Sequence, residues 1–501
     1  MFLKRNVKKS MNIAIISDYL DHFFDDPMKI FNFSSYFLCE FSRELQSQGQ
    51  NLTVVLPFHK KIENSKMFKA MSYLRSDEVI LPDREGKEDR KIEINFYNCS
   101  GVNVIFVKDP YLSEREGYIF DPANGMFYPD NLLRFSNFSR SAIESLKLIP
   151  FKPDVVHVVG KWASISSIYL KTIYKYDNFF AKSRLVFSID SLEELPIFVV
   201  DQYPILGLDW SYYRYDCLEF FGKVNIVKGS IVFSDCIVFT SNSYVDEIRK
   251  EEFGKGLEGL IQQKFSESKI KSILPGISHQ YSPQKDKVLS SVGFNYTRDN
   301  IENKKKVKNY IAKKHGFSPE SLFFMFFGEF KENSGISLVY EIFSEILPKF
   351  NVSLVIFGRG DDFRENAIGE LVNSYNNKVI WFKDFSYEDV ILYLASSDVL
   401  LMPSVIESSS ILPMVALVYG TLPLVRGVGI LNDVVRDKIN GFKFYEYSPT
   451  VFKEKILECY DMYYKNPKRW NKLVETAMKS EFSWSDTVKH YVEEVYTQTK
   501  K

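Results

Sequence analysis

The chain has 501 residues, 45% hydrophobic and 26% charged, with 64 basic side chains balanced by 64 acidic ones. That length exceeds a single hydrophobic core and calls for two or three domains. A net charge of zero argues against the basic footprint of a nucleic-acid binder or a partner of anionic membranes.

The start, MFLKRNVKKS, is basic but is not followed by the apolar core and cleavage site of a signal peptide. The first strand is expected at residues 11–17 (MNIAIIS), which makes Met11 a candidate start. A polar loop follows, then a helical pattern over 31–48. Short apolar runs at 52–56, 102–107, 155–158, 184–189, 236–240 and 270–274 read as buried strands of a parallel sheet. The polar stretch 297–314 (TRDNIENKKKVKNYIAKK) reads as a solvated helix at a join between domains. A second set of apolar runs, at 322–327, 352–357, 379–382, 399–402 and 422–425, predicts a second parallel sheet. The closing segment FSWSDTVKHYVEEVY places Trp484, Val488, Tyr491 and Val495 on one helical face. Five cysteines, Cys39, Cys99, Cys217, Cys236 and Cys459, are widely spaced and odd in number. They predict neither a zinc site nor a disulfide framework. No run approaches the roughly 20 apolar residues of a membrane span. A cytoplasmic protein is expected.

The stretch 398–433 carries the most information. The apolar run Val399–Met402 ends in Pro403-Ser404, and a lone acid, Glu407, follows. The turn Ser408-Ser409-Ser410 leads into an apolar helix, then Tyr419-Gly420-Thr421, a second strand and the turn Gly427-Val428-Gly429. Strand, loop with a carboxylate, helix, strand and loop make half of a nucleotide-binding unit, in which helix N-termini offer N–H groups to phosphate.

This order resembles the donor-site signature of the bacterial glycogen and plant starch synthases, which are retaining glycosyltransferases. Pro403, Ser404, Glu407, Tyr419, Gly420, Thr421, Pro423, Gly429, Leu431 and Asp433 match it. The family's Pro-Cys-Gly turn has become Ser408-Ser409-Ser410, and its second turn glycine is Ile430. The likeness is collinear from about residue 11 to 496. Its best-preserved block is 220–283, including FFGKVNIVKGSIVFSDCIVFTSNSYVDEI and EEFGKGLEGLI. The resemblance implies two facing doubly wound parallel-sheet domains of the GT-B type, with a C-terminal helix crossing back to the first. The expected bounds are 1–296 for the acceptor-side domain, 297–480 for the nucleotide-sugar domain and 481–501 for the closing helix.

The resemblance also implies the site. Glu407 takes the catalytic position. Lys29, Gly328, Gly358, Tyr387, Ser408, Ser409, Ser410, Ile411 and Gly429 take donor-binding positions, with neither a metal nor a cofactor. Several positions depart from the family. The Lys-Gly-Gly loop reads DDPMKIFNFSSY, so Ile30, Phe31, Asn32 and Phe33 occupy the glycine region and should obstruct phosphate. The sugar-contacting histidine falls on Val159, while His157 matches the motif's first histidine and reads as structural ahead of functional. The Thr-Ile-His-Asn segment becomes Ser188-Ile189-Asp190-Ser191. The family's diphosphate-clasping Arg and Lys fall on Glu329 and Ser334, which reverses the charge offered to a leaving diphosphate. Lys331 compensates only if the loop folds differently.

Three functions follow as expectations. The first is transfer of glucose from a nucleotide-glucose, ADP-glucose foremost, to an α-1,4-glucan. The second is a catalytically impaired relative acting as a glucan-binding or regulatory subunit. The third is a glycosyltransferase of envelope polysaccharide synthesis, whose mark would be Lys331 or Arg359 reaching the cleft. The expected ligands are a nucleotide-sugar and an α-glucan, with no nucleic acid and no oligomeric state indicated. A dinucleotide-dependent dehydrogenase is disfavoured, because no G-x-G-x-x-G follows the first strand.

Overall fold

The computed structural model describes residues 10–20, 23, 28, 31, 34, 37–82 and 89–497. The strands of the first half are β1 (Asn12–Ser17), β2 (Asn51–Pro57), β3 (Ser72–Leu81), β4 (Arg90–Cys99), β5 (Val102–Lys108), β6 (Val155–Val159), β7 (Arg184–Ser188), β8 (Ile197–Val199), β9 (Glu219–Phe220), β10 (Lys223–Asn225), β11 (Cys236–Phe239) and β12 (Ile270–Ser272). Nine of them form one sheet in the order β12-β11-β7-β6-β1-β2-β5-β4-β3, and β8, β10 and β9 form a small antiparallel sheet. The large sheet is parallel except where β4 runs against β3 and β5. In β1, Ala14 and Ile16 enter the core on one face of the sheet and Ile13 and Ile15 the core on the other. Burial on both faces is why these strands read as unbroken apolar runs. The β3–β4 hairpin was not expected. Most of β3 is exposed and it carries Arg75, Asp77 and Glu78, as suits an edge strand, and its alternation is hidden.

The second half holds β13 (Leu322–Phe327), β14 (Val352–Phe357), β15 (Val379–Phe382), β16 (Val399–Met402), β17 (Leu422–Arg426) and β18 (Phe442–Phe444). They form one parallel sheet in the order β15-β14-β13-β16-β17-β18. The order reverses between β13 and β16. In an open α/β sheet the ligand crevice lies at such a switch point, beyond the carboxyl ends of the strands. In the first sheet the switch lies between β1 and β6. The second core already takes in Ile277, Tyr281, Leu289 and Tyr296, upstream of the charged stretch.

That stretch does form a helix, Glu302–His315, but two of its lysines are not solvated. Lys304 Nζ donates to the carbonyls of Ala395 and Ser397 and to Thr421 Oγ1, each at 2.9 Å. Carbonyls at a helix C-terminus lack intrahelical partners and carry partial negative charge, so they draw in an ammonium whose stem packs against apolar neighbours. Lys308 Nζ meets Asp398 at 2.6 Å and Tyr463 Oη at 2.8 Å, with only 6% and 11% of the Lys308 and Asp398 side chains exposed. Lys308→Met strands the Asp398 carboxylate in the core. It should cost about 3–5 kcal/mol, read as a lower urea midpoint at unchanged slope.

The C-terminal helix Trp484–His490 and its continuation Tyr491–Tyr496 return to the first domain. Thr487 Oγ1 donates to the Leu274 carbonyl at 2.9 Å and Arg184 Nε to that of Val495 at 2.7 Å. His157 lies beneath this segment, with Nδ1 2.8 Å from Tyr496 Oη and Nε2 2.7 Å from Ser188 Oγ. It is fully buried, and burial drives its pKa down to about 3. Its folded pKa is below the unfolded value near 6.5. The stability it contributes is therefore present above pH 6.5 and lost as pH falls toward 3, by about 1.4 kcal/mol per pH unit. His157→Gln should make the acid limb of the stability curve shallower. Among the described residues no helix is long and apolar enough to cross a membrane.

Candidate active site

The loops beyond the carboxyl ends of the two sheets enclose a cavity of about 410 Å³. The first domain contributes Met28, Phe31, Lys161 after β6, and Asp190, Ser191, Glu193 and Glu194 after β7. The second contributes residues 326–329, Lys331, Asn333 and Ser334 around the end of β13, and Ser404, Ile406, Glu407 and Ser410 after β16. The two second-domain loops touch through Gly335. Its φ is +78°, and a Cβ there would lie 2.3 Å from the Pro403 carbonyl oxygen, so the close approach requires glycine.

Glu407 is partly buried at the mouth of β16. Burial raises its pKa to about 7, opposed by hydrogen bonds from the Ser410 amide, the Ser404 hydroxyl and the Ser409 amide. Its main-chain carbonyl accepts from Ile430 N–H at 2.9 Å. The backbone is clamped here as well, since a Cβ on Gly429 would lie 1.9 Å from that carbonyl oxygen.

Of the residues expected in the site, Gly328, Glu407 and Ser410 line the cavity, whereas Ser408, Ser409, Ile411, Gly358, Tyr387 and Gly429 are not among its lining residues. Lys29 lies outside the described residues. Gly358 packs on Gly328, Tyr387 half-buries against the second core near Tyr281, and Gly429 N–H is bonded to Glu247 Oε1 at 2.8 Å. The helix after the serine turn, Leu412–Val418, spans only seven residues. The expected phosphate-facing amides turn inward instead: those of Ser409 and Ser410 serve Glu407, and that of Ile411 donates to the Phe31 carbonyl at 2.9 Å. Tyr419-Gly420-Thr421 is structural, with Thr421 holding Lys304 and the Leu394 carbonyl. Lys161 and the run 190–194 were not predicted as site residues. Their position just past β6 and β7 is the signal that finds them.

The cavity is acidic. Among the described residues it is lined by five carboxylates, Asp190, Glu193, Glu194, Glu329 and Glu407, against two lysines. Both lysines are engaged. Lys331 Nζ lies 2.5 Å from Glu329 and 3.8 Å from Glu194 across the cleft. Lys161 Nζ donates to Ser191 Oγ at 3.2 Å and to the Glu193 carbonyl. Arg359 and Arg364 line an adjoining cavity of about 480 Å³ with Glu332 and Asp361; Arg364 is paired with Asp361. Among the described residues no cluster of His, Cys, Asp or Glu is arranged to hold a metal.

Behind Glu407 the domains are bonded to each other. Thr240 Oγ1 donates to the Ser408 carbonyl. The Asp433 carboxylate accepts from Ser241 Oγ at 2.8 Å, from Ser243 N–H at 3.2 Å and from Ser243 Oγ. Ser241 is the N-cap of the helix Asn242–Ile248, so an acid of one domain sits at the positive end of a helix of the other.

Two doubly wound sheets facing across a cleft, closed by a helix that returns to the first, make the GT-B architecture of glycosyltransferases. Residues 37–263 match the starch synthase catalytic domain and residues 307–477 the glycosyl transferases group 1 domain. The glycogen synthase of Thermodesulfovibrio yellowstonii is 31% identical over 369 residues, covering 73% of this chain and 73% of that protein. That of Thermosipho melanesiensis is 30% identical over 451 residues, covering 88% and 90%. The catalytic domain of Arabidopsis thaliana starch synthase IV, solved bound to ADP and acarbose, superimposes with a TM-score of 0.83 at 22% identity, over 98% of this chain and 99% of that one. The chain belongs to the glycogen and starch synthase family of glycosyltransferases, as its motif order implied.

Proposed function

We propose that the protein transfers glucose with retention from a nucleotide-glucose, ADP-glucose ahead of UDP-glucose, to the non-reducing end of an α-1,4-glucan in the cytoplasm. The observation that carries this reading is Glu407, a desolvated carboxyl group at the switch point of the second sheet, facing the interdomain cavity. As the bond to the leaving diphosphate breaks, positive charge develops at the sugar carbon. A fixed carboxylate in a site of low dielectric stabilises that charge without reorganising. The starch synthase bound to ADP and acarbose supports a nucleotide and a glucan as the two ligands.

The leaving group is poorly served. Glu329 and Ser334 stand at the positions of the family's paired cations, and the loss of one preorganised donor typically costs about 100- to 1,000-fold. Transfer is therefore slow beside a relative that retains both. The Glu194–Lys331–Glu329 cluster favours a second reading, a glucan-binding or regulatory subunit without turnover. Purified protein given either nucleotide-glucose and a glycogen primer separates the two. Slow formation of α-1,4 linkages supports the first, and glucan binding with no transfer from either donor supports the second.

A further inference from the structure

Phe31 belongs to the first domain by sequence, in the loop after β1, yet its side chain is 1% exposed within the core of the second. Its ring meets Phe327, the last residue of β13, edge-on at 5.3 Å, and Tyr281 at 6.2 Å. Its carbonyl accepts the Ile411 N–H, in the loop after β16, at 2.9 Å. β13 and β16 are the strands between which the order of the second sheet reverses, where a doubly wound sheet offers its crevice to a ligand. In this chain the ring of Phe31, from the opposite domain, forms part of the cavity wall there, and its main-chain carbonyl occupies an amide at the rim. Met28, three residues earlier, lines both the main cavity and the adjoining one. Met28 therefore stands between the acidic cavity and the arginines beyond it.

We propose that Phe31 is a specificity-determining wedge, narrowing the cavity at the switch point so that a nucleoside diphosphate is held weakly while a neutral glucan is still admitted. The inference rests on reading this cleft as the site of sugar transfer. It predicts weak donor binding from a narrowed crevice as well as from missing cations. An aromatic side chain at a position that must admit a diphosphate hinders it sterically, in addition to any effect of the local charge. A neutral oligosaccharide needs hydrogen-bonding groups instead, and the exposed Asn333 and the half-buried Asp190 supply them along the wall.

The test is calorimetry on the full chain, titrating ADP and, separately, maltoheptaose into the wild type, Phe31→Gly and Phe31→Leu. Phe31→Gly should bind ADP at least about 10-fold more tightly than the wild type, a factor worth about 1.4 kcal/mol. Phe31→Leu, which keeps most of the bulk, should stay within about twofold. An ADP affinity in folded Phe31→Gly equal to that of the wild type overturns the proposal. Because emptying a buried site can unfold a protein, hydrogen exchange on the wild type provides an independent reading. The Ile411 amide should be protected and stay so in millimolar ADP, and free exchange at Ile411 overturns the wedge whatever the variants do. The maltoheptaose titration keeps the two ideas apart. Failure of every form to bind glucan defeats the functional reading, while the ADP comparison still judges Phe31.

Discussion

Glu407→Gln should abolish most transfer, lowering the rate by about 1,000-fold or more while glucan binding changes little. The amide keeps the shape and most hydrogen bonds of the side chain but cannot carry the charge that faces the sugar carbon. The pH profile gives the sign. Burial raises the Glu407 pKa to about 7, so the carboxylate form predominates above pH 7 and is lost below it. Wild-type transfer should fall as pH drops through 7, and whatever activity survives in E407Q should lack that limb. The same shift makes a second, opposite prediction for stability. The folded pKa lies above the unfolded one, near 4.3, so the contribution of this group to stability is full below about pH 4.3 and declines as pH rises through 7. E407Q should therefore melt higher than the wild type at pH 8, as expected where a function-bearing charge is held at a cost to folding. An activity loss with no change in pH profile or melting point would remove Glu407 from the chemistry.

Glu329→Arg combined with Ser334→Lys should give the largest gain. Among the described residues, the cavity now presents five carboxylates and two lysines. The double substitution removes one acid and adds two bases, leaving four of each, and it frees Lys331 from its 2.5 Å partner. At about 4 Å and an effective dielectric near 20, a single opposite-charge contact is worth roughly 4 kcal/mol. Much of that is spent on desolvation, so an increase of about 100-fold in transfer rate is the expected outcome, with tighter ADP binding by calorimetry. Faster transfer without tighter ADP binding would place the new cations on the transition state alone. If neither changes, the barrier lies in the bulk of Phe31, and the same pair should be tried on the Phe31→Gly background.

The parallel strands were legible because burial on both faces writes a period-free apolar run, as in LFFMFF of β13. The charged β3–β4 hairpin was not, since an exposed edge strand is selected for solubility and its inward residues are interleaved with Arg, Asp and Glu. Helicity over Glu302–His315 was legible from composition. The destination of Lys304 and Lys308 was not, because the acceptors belong to segments 90 or more residues away. In the site, the carboxylate of Glu407 could be located from the strand, the Pro-Ser break and the spacing to Gly429. The inward turn of the Ser409 and Ser410 amides could not, because it depends on which neighbour satisfies each N–H. Bulk at Phe31 was visible as an obstruction, but only tertiary packing shows which cavity that bulk narrows.

The bonds joining Thr240, Ser241 and Ser243 to the segment 408–433 bear on traffic through the cleft. A growing polymer must thread in, and a spent nucleotide must leave, past walls that these bonds hold together. Thr240 and Ser241 are buried, so water does not readily replace these bonds and the clasp holds the walls together. Its opening rate sets an upper limit on how often the active site can be reloaded. Slow chemistry would tolerate a tight clasp; were the double substitution to speed transfer, the clasp would become the next step to limit turnover, and loosening Asp433 would be where further speed is found.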